Sequence, residues 1–314
     1  MIVALAGGVG GAKLAQGLYH VSPPDSLAVI VNTGDDFELF GLRISPDADT
    51  VMYTLAGIAN PATGWGVVND TRATLEMLGR YGYELWFQLG DNDFATHIAR
   101  TAQLRAGDSL TEVTRRLSRA LGMRAALLPM CDEGVATLVD TPAGRLAFQD
   151  YFVRRRHADP VSGIVLDGIE AATITADAAQ AIARATVIVV CPSNPVVSIG
   201  PILAVNGYRS ALAASSAPRV AISPIVGGKA LRGPADQMLA GLGHDVSAFG
   251  VAQLYGGLVD GFVIDHADRE QAERIGALGM RVLVTDAVMR DEPDRQRLAR
   301  EVLDFAAGIG SSKR

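Results

Sequence analysis

MIVALAGGVGGAKLAQG, residues 1–17, contains an apolar strand, a glycine-rich turn and the beginning of a helix. Residues 2–6 are apolar and β-rich throughout, which is typical of a central parallel strand covered on both faces. The glycines that follow have no Cβ, so a bound group can approach the main chain closely. Helical spacing over residues 12–18 would direct free amides and the positive end of the helix dipole towards the same space, which suits a phosphate. The stretch therefore predicts the first βα unit of a doubly wound fold, with a phosphate site at its turn.

The candidate phosphate-binding residues of this turn are Gly7, Gly8, Gly10 and Lys13. Gly8 and Gly10 fit the dinucleotide fingerprint G-x-G-x-x-G, but Lys13 stands where the third glycine belongs. A Walker A loop would need Ser or Thr directly after the lysine, and here a leucine follows. Neither motif is matched, so a tight connection without a ligand is the alternative. The position of the turn at the start of the chain favours the phosphate site.

The composition excludes several classes of function. A formal net charge of −6 and a pI near 5.4 provide no electrostatic footprint for nucleic acid. No apolar run approaches the roughly 18 residues needed to cross a bilayer, and glycines interrupt the first run too early for a signal peptide. Cys131 and Cys191 adjoin apolar runs without metal-binding spacing, which predicts buried free thiols. We therefore expect a cytoplasmic protein that binds neither nucleic acid nor membranes.

The strand and helix patterns divide the chain into a core and an insertion. Residues 27–31 form a second apolar strand that ends in the turn-rich sequence NTGDD, residues 32–36. Residues 50–121 are mostly helical, and beyond them strand-like runs alternate with helices. We predict a Rossmann-like nucleotide-binding core, residues 1–49 and 122–314, with a doubly wound, mostly parallel sheet. Residues 50–121 are predicted to be an inserted helical subdomain.

Two later strand tips carry short polar side chains that can hold a ligand through hydroxyl, amide and backbone groups. A proline-rich turn without a ligand is the alternative for either tip. The candidate nucleotide-binding residues are Ser193, Asn194 and Ser198 on the first tip, and Ser223, Gly227 and Gly228 on the second. In a parallel sheet both tips would converge with the glycine turn at the carboxyl edge of the strands.

Asp47 and Asp49 stand just before a predicted helix at residues 51–58, beside the predicted phosphate site. Either aspartate alone could be a helix N-cap, since Asp is a preferred residue there. Carboxylates repel phosphate unless a cation lies between them, however. The placement therefore predicts a divalent metal, with Mg²⁺ as the expected ion and Asp47 and Asp49 as its ligands.

Blocks spread along the chain occur in the order of one known family. They include Gly7-Gly8-Val9-Gly10, Ile44-Ser45-Pro46-Asp47-x-Asp49-Thr50, Gly66-x-x-Asn69-Asp70-Thr71, Leu89-Gly90-Asp91-x-Asp93-x-Ala95-Thr96-His97, Pro192-Ser193-Asn194-Pro195 and Ser223-Pro224-Ile225. In these blocks the sequence resembles the 2-phospho-L-lactate transferases, which make the deazaflavin coenzyme F(420). So many blocks in one order are far more specific than the glycine turn alone.

The resemblance implies a Mg²⁺-dependent transferase with a guanosine diphosphate-linked donor. It would move a phosphorylated three-carbon acid, phospholactate or phosphoenolpyruvate, to the ribityl hydroxyl of 7,8-didemethyl-8-hydroxy-5-deazariboflavin and release GMP. By matched position, Asp49 would be the catalytic residue, at both the metal and the deazaflavin hydroxyl. The expected deazaflavin contacts are Asp49, Asn69, Gln88, Asp91 and Thr96. Similar family members often have Lys or Arg at the position of Gln88, so this contact departs from the family pattern.

The resemblance leaves the three-carbon acid and the oligomeric state open, with a homodimer as one option. Two rival functions come from other classes. A related regulatory family binds nucleotide-sugars, but its pattern has a glycine- and serine-rich run where this chain has Phe37-Glu38-Leu39-Phe40. An NAD-linked oxidoreductase is disfavoured by the missing third glycine and by the absence of a proton-relay pair.

Overall fold

The computed structural model describes residues 1–23 and 25–312 of the chain. Its strands are β1 (Ile2–Ala6), β2 (Leu27–Val31), β3 (Phe37–Leu39), β4 (Leu42–Ile44), β5 (Ala126–Pro129), β6 (Ala136–Thr141), β7 (Gly144–Ala147), β8 (Gly163–Asp167), β9 (Val187–Val190), β10 (Arg219–Ile222), β11 (Ile225–Val226), β12 (Lys229–Ala230), β13 (Gly261–Asp265) and β14 (Arg281–Thr285).

The α-helices are α1 (Gly8–Val21), α2 (Pro46–Leu55), α3 (Ala73–Arg80), α4 (Asp91–Arg105), α5 (Leu110–Ala120), α6 (Ala176–Ala183), α7 (Ile199–Ala204), α8 (Tyr208–Ala214), α9 (Ala235–Gly241), α10 (Ala248–Leu254), α11 (Ala272–Gly276) and α12 (Glu292–Ser312). A π-helix covers Asp150–Arg154 and a 3₁₀-helix covers His266–Gln271. No helix within the described residues is long and apolar enough to span a membrane.

A seven-stranded parallel sheet with the order β5-β2-β1-β9-β10-β13-β14 forms the centre of the molecule. Connections run outward in opposite directions from β1 and β9, which pair directly in the middle of the sheet. This point of reversal is the topological switch point, where doubly wound folds place their ligands. The predicted doubly wound α/β fold is therefore confirmed, and its switch point lies at the glycine turn.

The central strands are buried on both faces because helices cover each side. In β1, Val3 and Leu5 belong to the hydrophobic cluster under α6, α7, α8 and α10, whereas Ala4 and Ala6 belong to the cluster under α1, α2 and α12. This two-residue alternation explains why β1 reads as an unbroken apolar run. Cys131 and Cys191 lie in these clusters as buried free thiols, as predicted.

The helices α2 to α5 follow the β3–β4 hairpin and precede β5; α3 to α5 lie within the range predicted as an insertion, whereas α2 begins before it. The predicted boundary at residue 50 falls inside α2, which packs along α1 and contributes Val51 and Met52 to the main core. A separate small hydrophobic cluster contains Leu75, Leu89 and Phe94, which lie after α2 in the predicted insertion. The division into two domains stays a prediction.

A second, antiparallel sheet with the order β7-β6-β8 lies beside the central one. Its core residue Val139 packs with Phe148 and Tyr151, with Val197 after β9 and with Met238 of α9. This packing brings residues 148–153, which include most of the π-helix, to the carboxyl edge of the central sheet.

Candidate active site

A cavity of about 500 Å³ opens at the carboxyl edge of the central sheet. It is bounded by the glycine turn, by α2 and α4, by the π-helix, and by the loops after β9 and β10. The predicted site residues that line it are Gly7, Gly8, Gly10, Lys13, Asp47, Asp49, Gln88, Ser193, Asn194, Ser198 and Ser223. Gly227, Gly228, Asn69, Asp91 and Thr96 are not among the residues that line it.

The glycine turn is held against the tip of β9 by Ser193. The buried Ser193 hydroxyl donates to the Gly7 carbonyl at 2.8 Å and accepts the Gly7 N–H at 3.0 Å. A Cβ at Gly10 would collide with the carbonyl oxygen of Pro192, and one at Gly7 would collide with Asp47. Both glycines are therefore required by contacts within the protein, independently of any ligand.

We expect Gly10→Ala to destabilise the protein by about 1–3 kcal/mol, because the added methyl group cannot fit against the rigid Pro192 carbonyl. The control is Gly276→Ala in α11, where a Cβ meets no atom within 4 Å and a helical alanine is favourable. Urea unfolding of both variants measures the difference. Equal stability of the two would contradict the close packing of the turn.

Gly8 differs from its neighbours because its φ of 60° lies in the left-handed region, where side chains are strained. Its N–H donates to Asp47 Oδ1 at 2.8 Å, so this amide is engaged within the protein. Helix α1 begins at Gly8 and not at residue 12, as the spacing had predicted. The next residues, Val9 and Gly10, line the cavity at the helix start, where the first N–H groups have no intrahelical acceptor. A phosphate site at this turn stays a prediction, and the amides after Gly8 are the ones left free for it.

Asp47 and Asp35 form an acidic pair beside this helix start. Asp47 Oδ2 accepts the side-chain amide of Asn32 at 3.0 Å, in addition to the Gly8 contact of Oδ1. Burial raises the pKa of Asp47 to about 6, although the hydrogen bonds from Asn32, Gly8 and Ser198 lower it. Burial, followed by the charge of Asp47, raises the pKa of Asp35 well above its ordinary value. Asp35 Oδ1 is buried without a hydrogen-bond partner among the described residues.

An orphaned carboxylate oxygen beside a second buried carboxylate is an arrangement that a cation would stabilise. Oxygen ligands suit Mg²⁺, which commonly takes one or two carboxylates and completes its shell with water and substrate phosphates. Within the described ranges, no group of three or more His, Cys, Asp or Glu side chains is placed to hold a metal ion. The residues present therefore fit a Mg²⁺ that shares its ligands with a substrate, and Asp35 is the partner that sequence reasoning did not assign.

Asp49 is held by a buried ion pair with Arg100 of α4. Arg100 Nη1 donates to Asp49 Oδ2 at 3.1 Å and Nη2 contacts Oδ1, while each side chain is almost fully buried. The N-cap position of α2 belongs to Ser45, and the Asp49 amide donates to the Ser45 carbonyl at 2.9 Å. The alternative that Asp47 or Asp49 is merely the N-cap is therefore wrong. An aspartate already neutralised by arginine is also a weaker metal ligand than Asp47.

His97 completes this cluster from one turn earlier in α4. Its Nδ1 lies 3.2 Å from Arg100 Nη1 and 3.6 Å from Asp49 Oδ2. Burial lowers the pKa of His97 to about 4, and Arg100 lowers it further against the opposing effect of Asp49. The imidazole is consequently neutral near pH 7. Sequence reasoning did not find Arg100; its only local signal was the three-residue spacing from His97 on one helical face.

Aromatic side chains contribute an apolar wall to the cavity. Phe148 and Phe152 stack with ring centroids 5.5 Å apart and an interplanar angle of 9°. Phe87 and Trp65 also line the cavity, and Trp65 is partly exposed at its mouth. Apolar walls with a few placed polar groups are typical of sites for flat organic ligands. Neither Phe148 nor Phe152 was among the predicted site residues, and the π-helix that presents Phe152 has no sequence signal.

The predicted deazaflavin contacts are divided between several environments. Asp49 and Gln88 line the main cavity, whereas Asn69 and Gln88 line an adjoining cavity of about 360 Å³. Asp91 caps α3, since its carboxylate accepts the N–H groups of Ala73 at 3.1 Å and Thr74 at 2.9 Å. Thr96 donates to a backbone carbonyl one turn earlier in α4. A ligand contact by Asp91 or Thr96 stays a prediction, outside the lining of both cavities.

The residues predicted at the second strand tip also lie in different surroundings. Ser223 lines the cavity, but its hydroxyl is engaged with the backbone of Ile225 on both its donor and acceptor sides. Gly227 and Gly228 form the turn of the β11–β12 hairpin, where the Gly227 N–H donates to Asp268. Lys13 reaches the cavity and donates to the Met289 carbonyl at 2.9 Å.

Comparison with known proteins identifies relatives along nearly the whole chain. The family model described as "2-phospho-L-lactate transferase CofD" matches residues 2–302. The chain is 45% identical to the phosphoenolpyruvate transferase of Streptomyces griseus, covering 98% of this chain and 99% of that protein. It is 38% identical to the 2-phospho-L-lactate transferase of Methanocaldococcus jannaschii, covering 98% and 99%.

A solved structure of a UPF0052 family protein from Bacillus halodurans is similar in fold, with a TM-score of 0.67. The two chains are 17% identical, and the match covers 96% of this chain and 98% of the other. At this identity the likeness supports the fold alone.

Proposed function

Because this chain belongs to the 2-phospho-L-lactate transferase family, we propose that it transfers a phosphorylated three-carbon acid to 7,8-didemethyl-8-hydroxy-5-deazariboflavin. The acceptor atom is the ribityl hydroxyl, the donor is linked to guanosine diphosphate, and GMP leaves. The product belongs to coenzyme F(420) biosynthesis. The observation that carries this proposal is the single cavity in which a helix start, buried carboxylates and an apolar aromatic wall meet.

Different groups in the cavity suit the two substrates. Free amides at the start of α1, together with Lys13 and the polar loop at Ser193, suit the diphosphate of the donor. Phe148 and Phe152 offer flat apolar surface that suits the deazaflavin ring. Asp49, which lines the same cavity and is fixed by Arg100, would orient the ribityl hydroxyl towards the phosphorus.

Mg²⁺ would be held by Asp47 and Asp35, with Asp49 as the further predicted ligand. When bound, such an ion neutralises charge on the phosphate oxygens and so favours attack on phosphorus. The residues of the chain contribute the rest. Asn32 and the Gly8 N–H fix the orientation of the Asp47 carboxylate, and the apolar wall would cover the deazaflavin ring.

The donor acid that we propose is phosphoenolpyruvate, with phospholactate as the second candidate. The phosphoenolpyruvate transferases of Streptomyces are 44–45% identical to this chain, whereas the 2-phospho-L-lactate transferases of methanogens are 35–38% identical. The higher identity to the phosphoenolpyruvate transferases favours phosphoenolpyruvate as the donor acid.

An assay with each GDP-linked acid tests the proposal. The purified protein is incubated with deazaflavin, Mg²⁺ and one donor at a time, while GMP release and the mass of the deazaflavin product are followed. We expect one GMP for each phosphorylated deazaflavin, with the fastest turnover from the phosphoenolpyruvyl donor. Binding of UDP-sugars or NAD in place of GDP, without any transfer, would instead support the regulatory or oxidoreductase functions.

A further inference from the structure

Four carboxylates line the cavity, namely Asp35, Asp47, Asp49 and Asp93. The first two flank the helix start at the phosphate end. Arg100 holds both oxygens of Asp49. Asp93 belongs to neither arrangement: no cation pairs with it among the described residues, and it lines both cavities beside Leu89 and Gly66.

One oxygen of Asp93 is engaged within the protein and the other is available to the cavity. Asp93 Oδ2 accepts the Gly90 N–H at 3.1 Å, which caps α4 and fixes the side chain. Tyr53 reaches the same place from α2, one helical turn after Asp49. Its hydroxyl is buried in the cavity wall and makes no hydrogen bond of normal geometry within the described residues. Such a hydroxyl is a donor that needs an acceptor, and the nearby Asp93 carboxylate, whose pKa it lowers, is a suitable one.

We propose that Asp93 is the general base that removes the proton of the acceptor hydroxyl, with the Tyr53 hydroxyl as the group that positions its carboxylate. This assignment rests on the proposed transfer reaction. Asp49 then orients the acceptor hydroxyl, while the proton moves to the lining carboxylate that is neither paired with Arg100 nor assigned to the proposed Mg²⁺.

The step balances in atoms and charge. The ribityl oxygen forms a bond to the phosphorus that carries the three-carbon acid, as its proton passes to Asp93. The bond between that phosphorus and the bridging oxygen of the diphosphate breaks, and its electron pair leaves with GMP. Asp93 returns its proton to solvent through the open mouth of the cavity before the next turnover.

The surroundings of Asp93 suit a base that works near neutral pH. Burial raises the pKa of Asp93 to about 6, and the charges of Asp49 on α2 and of Asp70 raise it while Gly90 and Tyr53 lower it. The other charged or titratable groups facing this cluster are His97, which is neutral in this range, and Arg100, both on α4. A base must be ionised to act, so activity is present above about pH 6 and is lost as the pH falls through it.

The test compares the wild type, Asp93→Asn and Asp93→Ala at saturating Mg²⁺ and donor, with kcat/KM for the deazaflavin measured from about pH 5 to pH 8. Asn can still accept the Gly90 N–H, so the cap of α4 is kept in the first variant. The control is Asp177→Asn, which removes a carboxylate from the first turn of α6 outside the cavity lining. We expect the control to keep the rate and pH profile of the wild type.

We expect Asp93→Asn to lose about a hundredfold or more in kcat/KM and to lose the acid limb of the profile. Added formate should restore part of the activity of Asp93→Ala in a saturable manner, which a purely structural residue would not allow. A folded Asp93→Asn variant that keeps the acid limb, or an Asp93→Ala variant that formate leaves unchanged, overturns the assignment while the transferase function stands. Absence of product with the wild type overturns both.

Discussion

Asp49→Asn is expected to lower the turnover of transfer by about a hundredfold or more, the scale for loss of one positioned catalytic group. Asp49 lines the cavity, and both of its oxygens are fixed by the buried Arg100. An asparagine keeps the size of the side chain but presents an amide to one guanidinium nitrogen, so the orientation of the acceptor hydroxyl is lost. Steady-state kinetics at saturating Mg²⁺ and donor measures the effect.

The same substitution is expected to reduce stability, because it leaves Arg100 as a buried charge without its carboxylate. We expect a cost of at least about 1–3 kcal/mol, so the melting temperature should fall as well. The control is Asp260→Asn, which breaks the largely buried pair with Arg219 near the amino ends of β10 and β13. This control should lose stability and keep turnover. If Asp49→Asn behaved as Asp260→Asn does, Asp49 would be a structural residue only.

Asp47→Asn is expected to abolish the response of the transfer rate to Mg²⁺ and to lower turnover by about a hundredfold or more. The loss of charge removes a ligand of the proposed ion. In addition, Asp47 accepts hydrogen bonds from Gly8 at 2.8 Å and from Asn32 at 3.0 Å. Because an asparagine side chain has only one oxygen, its NH₂ group would face one of these donors, and that hydrogen bond would be lost.

A Mg²⁺ titration of the transfer rate measures this prediction. The matched control is Asp140→Asn, an exposed carboxylate on β6 that pairs with Arg145 and lies outside the cavity lining. Its Mg²⁺ response should equal that of the wild type. An unchanged Mg²⁺ response in a folded Asp47→Asn variant would show that the ion binds elsewhere.

The fold could be predicted because apolar strands and turn residues are recognised from short, local stretches of sequence. The run at β1, buried on both faces, predicts a central parallel strand, and the glycines after it mark the switch point. The internal role of the glycines was not predictable. Whether Gly10 faces a ligand or the Pro192 carbonyl depends on the position of a loop far away in the sequence.

Site residues at the carboxyl ends of strands could be predicted from the sequence. Contacts between residues on different helices could not. Ser193 and Asp47 follow from their places at the carboxyl edge, and the structure brings both to the cavity. The pairing of Asp49 with Arg100 joins residues on two helices, and no spacing rule relates such positions. Asp91 is the opposite case. The resemblance predicts that it contacts the deazaflavin, because it lies in a block shared with the family, whereas in the structure its carboxylate caps the neighbouring helix α3.

A crystal structure with GDP, Mg²⁺ and the deazaflavin tests most directly whether one cavity holds both substrates. The diphosphate is expected at the start of α1 beside Val9 and Gly10, with the deazaflavin ring against Phe148 and Phe152. The ribityl hydroxyl should lie within about 3.5 Å of Asp49 or Asp93, since a base must be within hydrogen-bond reach. A deazaflavin bound outside this cavity, or with its ribityl tail pointing away from α2 and α4, would contradict the account.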